Sequence, residues 1–117
     1  MAFKFENLQV WQKALDLTEE IDTLTKGSFP KEEMFVLTSQ IKRAADSVVL
    51  NIAEGCTGQT NPVFKTFLSY SLRSAVEVVA CLFIAKKRKI IKEDDFQKLY
   101  NEYQSLCKMI SALRNSL

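Results

Sequence analysis

Few side chains in this sequence could do acid–base or covalent chemistry, and the most versatile type is missing: there is no histidine. Its absence removes the usual general base near neutral pH, the usual metal ligand and any Ser–His or Cys–His nucleophile pair. A di-iron site in a helical bundle needs Glu-x-x-His and so cannot be built. Cys56, Cys81 and Cys107 have no CxxC spacing. Two of them lie in apolar helical patterns, where a thiol behaves as a small hydrophobe, and all three are read as reduced. The Gly55–Gly58 stretch is too short for a Walker A or GxGxxG loop and lacks the lysine that should follow. What remains for an enzyme is Glu54, Glu77, Arg73 and Tyr70, and their spacing suggests no reaction. The chain is read as non-enzymatic, with no cofactor and no metal.

Two groups of residues could bind something. Gln40, Ala44, Ser47, Asn51 and Glu54 recur in steps of four, three, four and three, so they form a small, polar stripe on one side of a helix. It is either a recognition surface or a hydrogen-bond network that fixes helix register, with Arg73 or Arg43 pairing Glu54 and with Glu77 nearby in type. The second group is Lys86-Lys87-Arg88-Lys89 with Lys92, the densest positive run; Lys42 and Arg43 are lesser candidates. These could contact phosphates. They could equally be a solvated helix end, with the acids Glu93, Asp94 and Asp95 partly cancelling them. No aromatic stacking pattern or RNP-like motif is legible beside them. Repeated around a symmetric oligomer, the same run would become a ring of charge.

The elements that must position these groups are helices. Leu37, Ile41, Ala45, Val48 and Ile52 recur at three- and four-residue steps, as a buried helix face does. Val10, Ala14, Leu17, Ile21 and Leu24 do the same earlier in the chain. Phe64, Leu68, Ser71, Ala75, Val78, Leu82 and Ala85 follow later, then Phe96, Leu99, Tyr103, Leu106, Ile110, Leu113 and Leu117. Asn7 is the expected cap of the first helix and Gly27 its stop. Pro30 is expected in the first turn of the second helix, with Glu32 and Glu33 at its positive end. That helix ends at Gly55 in a GCTGQT loop, and Asn61-Pro62 repeats the cap-then-proline signal for the third. No segment alternates with the period of a strand. The reading is one domain over 1–117, all-α, with helices over about 8–25, 30–54, 62–88 and 93–115. Short links between them predict an antiparallel up-down-up-down four-helix bundle.

At 117 residues, with 47% hydrophobic residues, such a domain can bury a core without disulfides or metal. A net charge of +2 argues for no partner by itself. The N-terminal MAFKFENLQVW lacks the apolar run of a signal peptide, and Val76–Ala85 is about half a bilayer span in length. A cytoplasmic, non-membrane protein is expected. That same run carries a single charge, Glu77, in ten residues and is apolar on all sides. Val49 and Leu50 likewise make the second helix apolar on a further side. Surface of this kind marks an interface. It predicts a symmetric homo-oligomer in contact through Val49, Leu50, Val76, Val79 and Phe83.

Several of these residues also occur together in a known family. Leu8-x-Val10-Trp11-Gln12-Lys13-Ala14, Phe29-Pro30-x-x-Glu33, Leu37-x-x-Gln40-Ile41-Lys42-Arg43-Ala44-Ala45, then Ser47 and Asn51-Ile52-Ala53-Glu54-Gly55 stand in order over nearly the whole chain. They resemble the four-helix bundle proteins often encoded in intervening sequences of bacterial 23S ribosomal RNA genes. Ser74 and Glu77 fit the family's third-helix pattern, although Arg73 replaces its glycine. The resemblance implies an antiparallel bundle assembling as a homopentamer around a channel, with no established enzymatic activity and an ascribed role with RNA. It also implies likeness to an accessory protein of diversity-generating retroelements, which works with a reverse transcriptase and nucleic acid. Three departures stand out: Val49 replaces a common proline, no basic residue follows Gly55 in Cys56-Thr57-Gly58-Gln59, and Val79 replaces a glutamate. The last two weaken a polar or nucleic-acid role for that part of the surface. The chain is thus read as a helical scaffold for RNA or a nucleic-acid-handling partner. The rival is a protein-only adaptor whose polar groove holds a partner helix or peptide.

Overall fold

Val10, Ala14, Leu17, Ile21 and Leu24 are buried along one side of the first long helix, α1 (Gln9–Ser28). The computed structural model describes residues 2–57 and 60–117; of the expected GCTGQT loop, Gly58 and Gln59 lie outside the described residues. Three further helices complete a four-helix bundle: α2 (Leu37–Gly55), α3 (Asn61–Lys87) and α4 (Glu93–Ser116). No strand occurs among the described residues. The molecule measures 43 × 25 × 20 Å, its length set by α3, whose 27 residues span about 40 Å.

Helix ends differ from the sequence expectations in four places, each for a local reason. Asn7 belongs to a 3-10 turn (Lys4–Asn7), and Leu8 precedes α1 without a side-chain cap. Gly27 does not stop α1; it sits inside the last turn, and the helix ends one residue before Phe29. Pro30 explains this, because a residue preceding proline is pushed out of the helical region, and Phe29 is extended. Pro30 is likewise extended and opens only a single 3-10 turn, Lys31–Glu33, so α2 begins seven residues later than expected. Glu33 then reaches forward, its Oε1 accepting from the Leu37 N–H at 3.4 Å, and caps α2 from outside. The cap of α3 is Thr60, not Asn61; its hydroxyl accepts from the Val63 N–H, and Pro62 stands in the first turn, where an N–H is not needed.

Helix α3 closes on a Schellman turn. The Ile90 N–H donates to Ala85 C=O at 2.9 Å and the Lys89 N–H to Lys86 C=O at 3.0 Å. Lys89 stands at φ 59°, the left-handed position usually given to glycine. A side chain there costs on the order of 1 kcal/mol.

The helices pack in cyclic order, with α2 against α3 the closest pair and α4 against α1 the loosest. Tyr103, Leu17, Ile21, Ile41, Ile52, Leu68, Leu82, Leu106 and Ile110 are fully buried between them, and burial pushes the Tyr103 hydroxyl pKa up. By length and composition α3 could cross a membrane. Its Leu68, Ser71, Ala75, Val78, Cys81, Leu82 and Ala85 are instead buried in the bundle. Side chains tie the loose seam: Lys13 to Glu102 at 2.8 Å and Lys98 to Glu20 at 3.1 Å. Such exposed pairs contribute at most about 1 kcal/mol each.

At Gly55 α2 and α3 are in tight contact. A Cβ on it would lie 2.6 Å from Phe67 Cβ and 3.0 Å from Phe64 Cδ1. Gly55→Ala is therefore expected to destabilise the protein by about 1–2 kcal/mol, since overpacking outweighs alanine's better helix propensity. Urea unfolding checks this; a stabilised variant would show that the seam has room.

Candidate nucleic-acid interface

The small, polar stripe of α2 faces the seam with α3. Ser47 Oγ and Ser74 Oγ are 2.9 Å apart, and Asn51 Nδ2 donates to both the Ser47 carbonyl (2.9 Å) and its hydroxyl (3.0 Å). One step deeper, the buried Ser71 hydroxyl donates to Val48 C=O at 2.8 Å. Small residues let the two backbones approach, and their hydroxyls satisfy one another there. Toward the surface, Gln40 Nε2 reaches Glu77 Oε2 at a long 3.4 Å. Glu54, Arg73 and Arg43 are exposed, and no ion pair joins Glu54 to either arginine among the described residues. The stripe is thus a half-buried Ser47–Asn51–Ser74 cluster with exposed charges at its flanks. Among the described residues no hydrogen bond or ion pair joins Glu54, Glu77, Arg73 and Tyr70 to one another. Among the described residues no three His, Cys, Asp or Glu side chains converge as metal ligands would. Burial raises the pKa of all three free thiols, that of Cys81 to about 11 with the Glu77 charge adding to the effect.

The positive run is not one patch of equivalent charges. Lys86 pairs with Glu93 at 3.2 Å and lies 4.4 Å from the centre of the Phe96 ring. Arg88 pairs with Glu33 at 3.4 Å. Lys87, Lys89 and Lys92 are exposed and have no ion-pair partner among the described residues. Lys42 points elsewhere: it bridges α2 to α1 through Asp22 at 3.1 Å. Lys26 and Lys42 together hold the Asp22 carboxyl below its ordinary pKa.

An aromatic cluster, missed in the sequence, stands beside these lysines. Phe83 packs against Phe96 (ring centres 4.9 Å apart) and Tyr100 (6.0 Å), and Phe96 stacks with Tyr100. Phe83 is half exposed and lines, with Lys86, Lys87 and Lys89, an open basin of about 530 Å³. Phe83 and Phe96 lie on different helices, so no local spacing announced them.

Of the expected contact residues, Leu50 and Val76 are 59% and 57% exposed, and Phe83 is 51%. Val49 is buried and Val79 packs on the core, so neither offers much to another surface. Among the described residues the most exposed large apolar side chain is one the sequence places inside a helix: Phe35, at 89%, between Met34 and Val36 in the link before α2. Leu15 adds a further exposed residue and lines a cavity of about 190 Å³ with Thr18, Asp46, Val49 and Leu50. Three apolar residues in a row, Met34-Phe35-Val36, cannot all face one core, and that was the available signal.

Among known families, residues 6–112 match the model described as 23S rRNA-intervening sequence protein. Among solved structures, the fold is similar to that of a protein of unknown function from the S23 ribosomal protein family of Bacteroides thetaiotaomicron. The TM-score is 0.83 at 24% identity, over 91% of this chain and 95% of that one. At that identity the likeness bears on the fold alone. No curated protein matches the chain.

The serine pair at the seam supplies a test of the structural part of this surface. Ser47→Ala and Ser74→Ala are each expected to lower stability by about 1 kcal/mol, and the double variant by about 0.5–1 kcal/mol less than their sum. A double-mutant cycle in urea measures the coupling; strict additivity would mean that the two hydroxyls do not share a bond.

Proposed function

The chain belongs to the family of 23S rRNA-intervening sequence proteins, and from that footing we propose that it is a non-enzymatic, cytoplasmic helical scaffold whose copies assemble into a ring and whose basic end engages RNA. The observation that carries the assembly is the apolar surface left uncovered on separate sides of the bundle. Leu15 and Leu50 lie along α1 and α2, Val76 lies on the outer face of α3, and Phe35 projects at the bundle's end. A two-fold dimer needs one self-complementary patch, whereas a closed ring joins two different ones. Five copies is the number that the family resemblance implies.

An up-down-up-down course supports the same reading. Gln40 meets Glu77 where Ser47 meets Ser74, and Lys13 meets Glu102 where Glu20 meets Lys98. Ser69 meets Arg114 where Lys86 meets Glu93. In each pair of helices one set of numbers rises as the other falls. Around a ring, Lys87, Lys89 and Lys92 of every copy would repeat at the same height, and several weak phosphate contacts would act together. The reduced state expected of three free, largely buried thiols suits the cytoplasm. The rival adaptor reading is the weaker, because Ser47, Asn51 and Ser74 spend their hydrogen-bonding groups on one another.

Replacing Lys87, Lys89 and Lys92 together by glutamine is expected to weaken RNA binding and to flatten the slope of log affinity against log salt by about 2, with the oligomer unchanged. Fluorescence anisotropy with a labelled RNA across a salt series makes the measurement. An unaltered affinity and slope would dismiss the basic end as an RNA contact.

A further inference from the structure

Phe83 stands out among the exposed apolar residues because of what surrounds it. Leu50 shares its cavity with Leu15, Thr18, Asp46 and Val49, whereas Phe83 shares its open basin with Lys86, Lys87 and Lys89. Burying it against a like-charged copy of the chain would strip water from several ammonium groups, which is costly without matching acids. An aromatic ring with lysines at its rim suits a ligand that carries a flat, uncharged face and negative charge close by. A nucleotide of single-stranded RNA has both.

We propose that the Phe83 basin is a stacking site for one unpaired base, with the flanking phosphates held by Lys87 and Lys89; this deepens, and rests on, the RNA reading above. Four observations converge on it. The basin, at about 530 Å³, is in the size range of small-ligand sites and open enough for a strand to enter and leave. The Phe83 ring is held by Phe96 and Tyr100, so stacking requires little further ordering. Lys86 is already occupied by Glu93 and the Phe96 ring, which leaves Lys87 and Lys89 free for phosphate. Lys89 occupies the left-handed turn position where glycine would fold more easily. A strained residue at a charged, concave surface is the kind that function retains. A duplex keeps its base faces covered, so the site selects single strands.

The test uses the assembled full-length protein with a 2-aminopurine-labelled single-stranded RNA and a duplex of the same length. Phe83→Leu is expected to weaken single-strand binding roughly tenfold, the loss of one stacked base. It should abolish the 2-aminopurine fluorescence change and leave duplex affinity and the salt slope as they were. Phe83→Trp restores both signals, which separates stacking from a merely structural role even if the leucine variant alters assembly. Lys89→Gly raises the melting temperature while lowering affinity for the same RNA. If Phe83→Leu binds the single strand unchanged while the triple lysine variant does not, the stacking site is overturned and the RNA reading stands. If the wild-type protein binds neither RNA, both fall. Competition by polyglutamate as effective as RNA would assign the basin to an acidic polypeptide and overturn the proposal.

Discussion

The close approach of α2 to α3 is the constraint on which the rest of the molecule depends. It exists because the facing residues are small. Gly55 leaves no Cβ to strike Phe67, and Ser47, Ser71 and Ser74 exchange hydrogen bonds across or into the seam. The hydroxyls of Ser47, Ser71 and Ser74 each have a partner, whereas those of Thr38 and Tyr103 are buried without one. Once the two helices are joined so tightly, their outer flanks turn away from the core together. The apolar residues Leu50 on α2 and Val76 on α3 stay more than half exposed.

That consequence links packing to function. A bundle needs one apolar stripe per helix, and the fully buried residues already supply it. The uncovered residues are surplus to the fold, and in the assembly proposed above they would join copies in a ring. Ring symmetry would in turn change the meaning of the basic end. Three unpaired lysines on one chain make a weak patch, but several copies of them, each beside a half-exposed phenylalanine, would make a surface on which a flexible anionic strand could settle.

Much of this was legible in the sequence, and the reasons for the rest are physical. Four stripes at helical spacing point to an all-α fold because each helix must bury one side, a demand written in local residue order. The start of α2 is not legible because proline is compatible both with a helix's first turn and with an extended link. Only Phe29's own extended backbone, and the packing of Leu37, decide between them. Met34, Phe35 and Val36 consequently fall in the link before α2 and not in the expected helix. The charge run was visible, but which lysines are spoken for was not. Glu33 and Glu93 remove Arg88 and Lys86 from it through contacts of tertiary origin. The aromatic cluster was invisible for the same reason, since Phe83 meets Phe96 and Tyr100 only once α3 and α4 are packed.

A native mass spectrum of the protein, purified from cells without nuclease, tests assembly and nucleic-acid binding at once. The proposed RNA-binding ring predicts a fivefold multiple of the 13.4 kDa chain, with additional mass that ribonuclease removes. A bare 13.4 kDa monomer would contradict it: Phe35, Leu50 and Val76 would then be ordinary exposed side chains, and the basic end a solvated helix terminus.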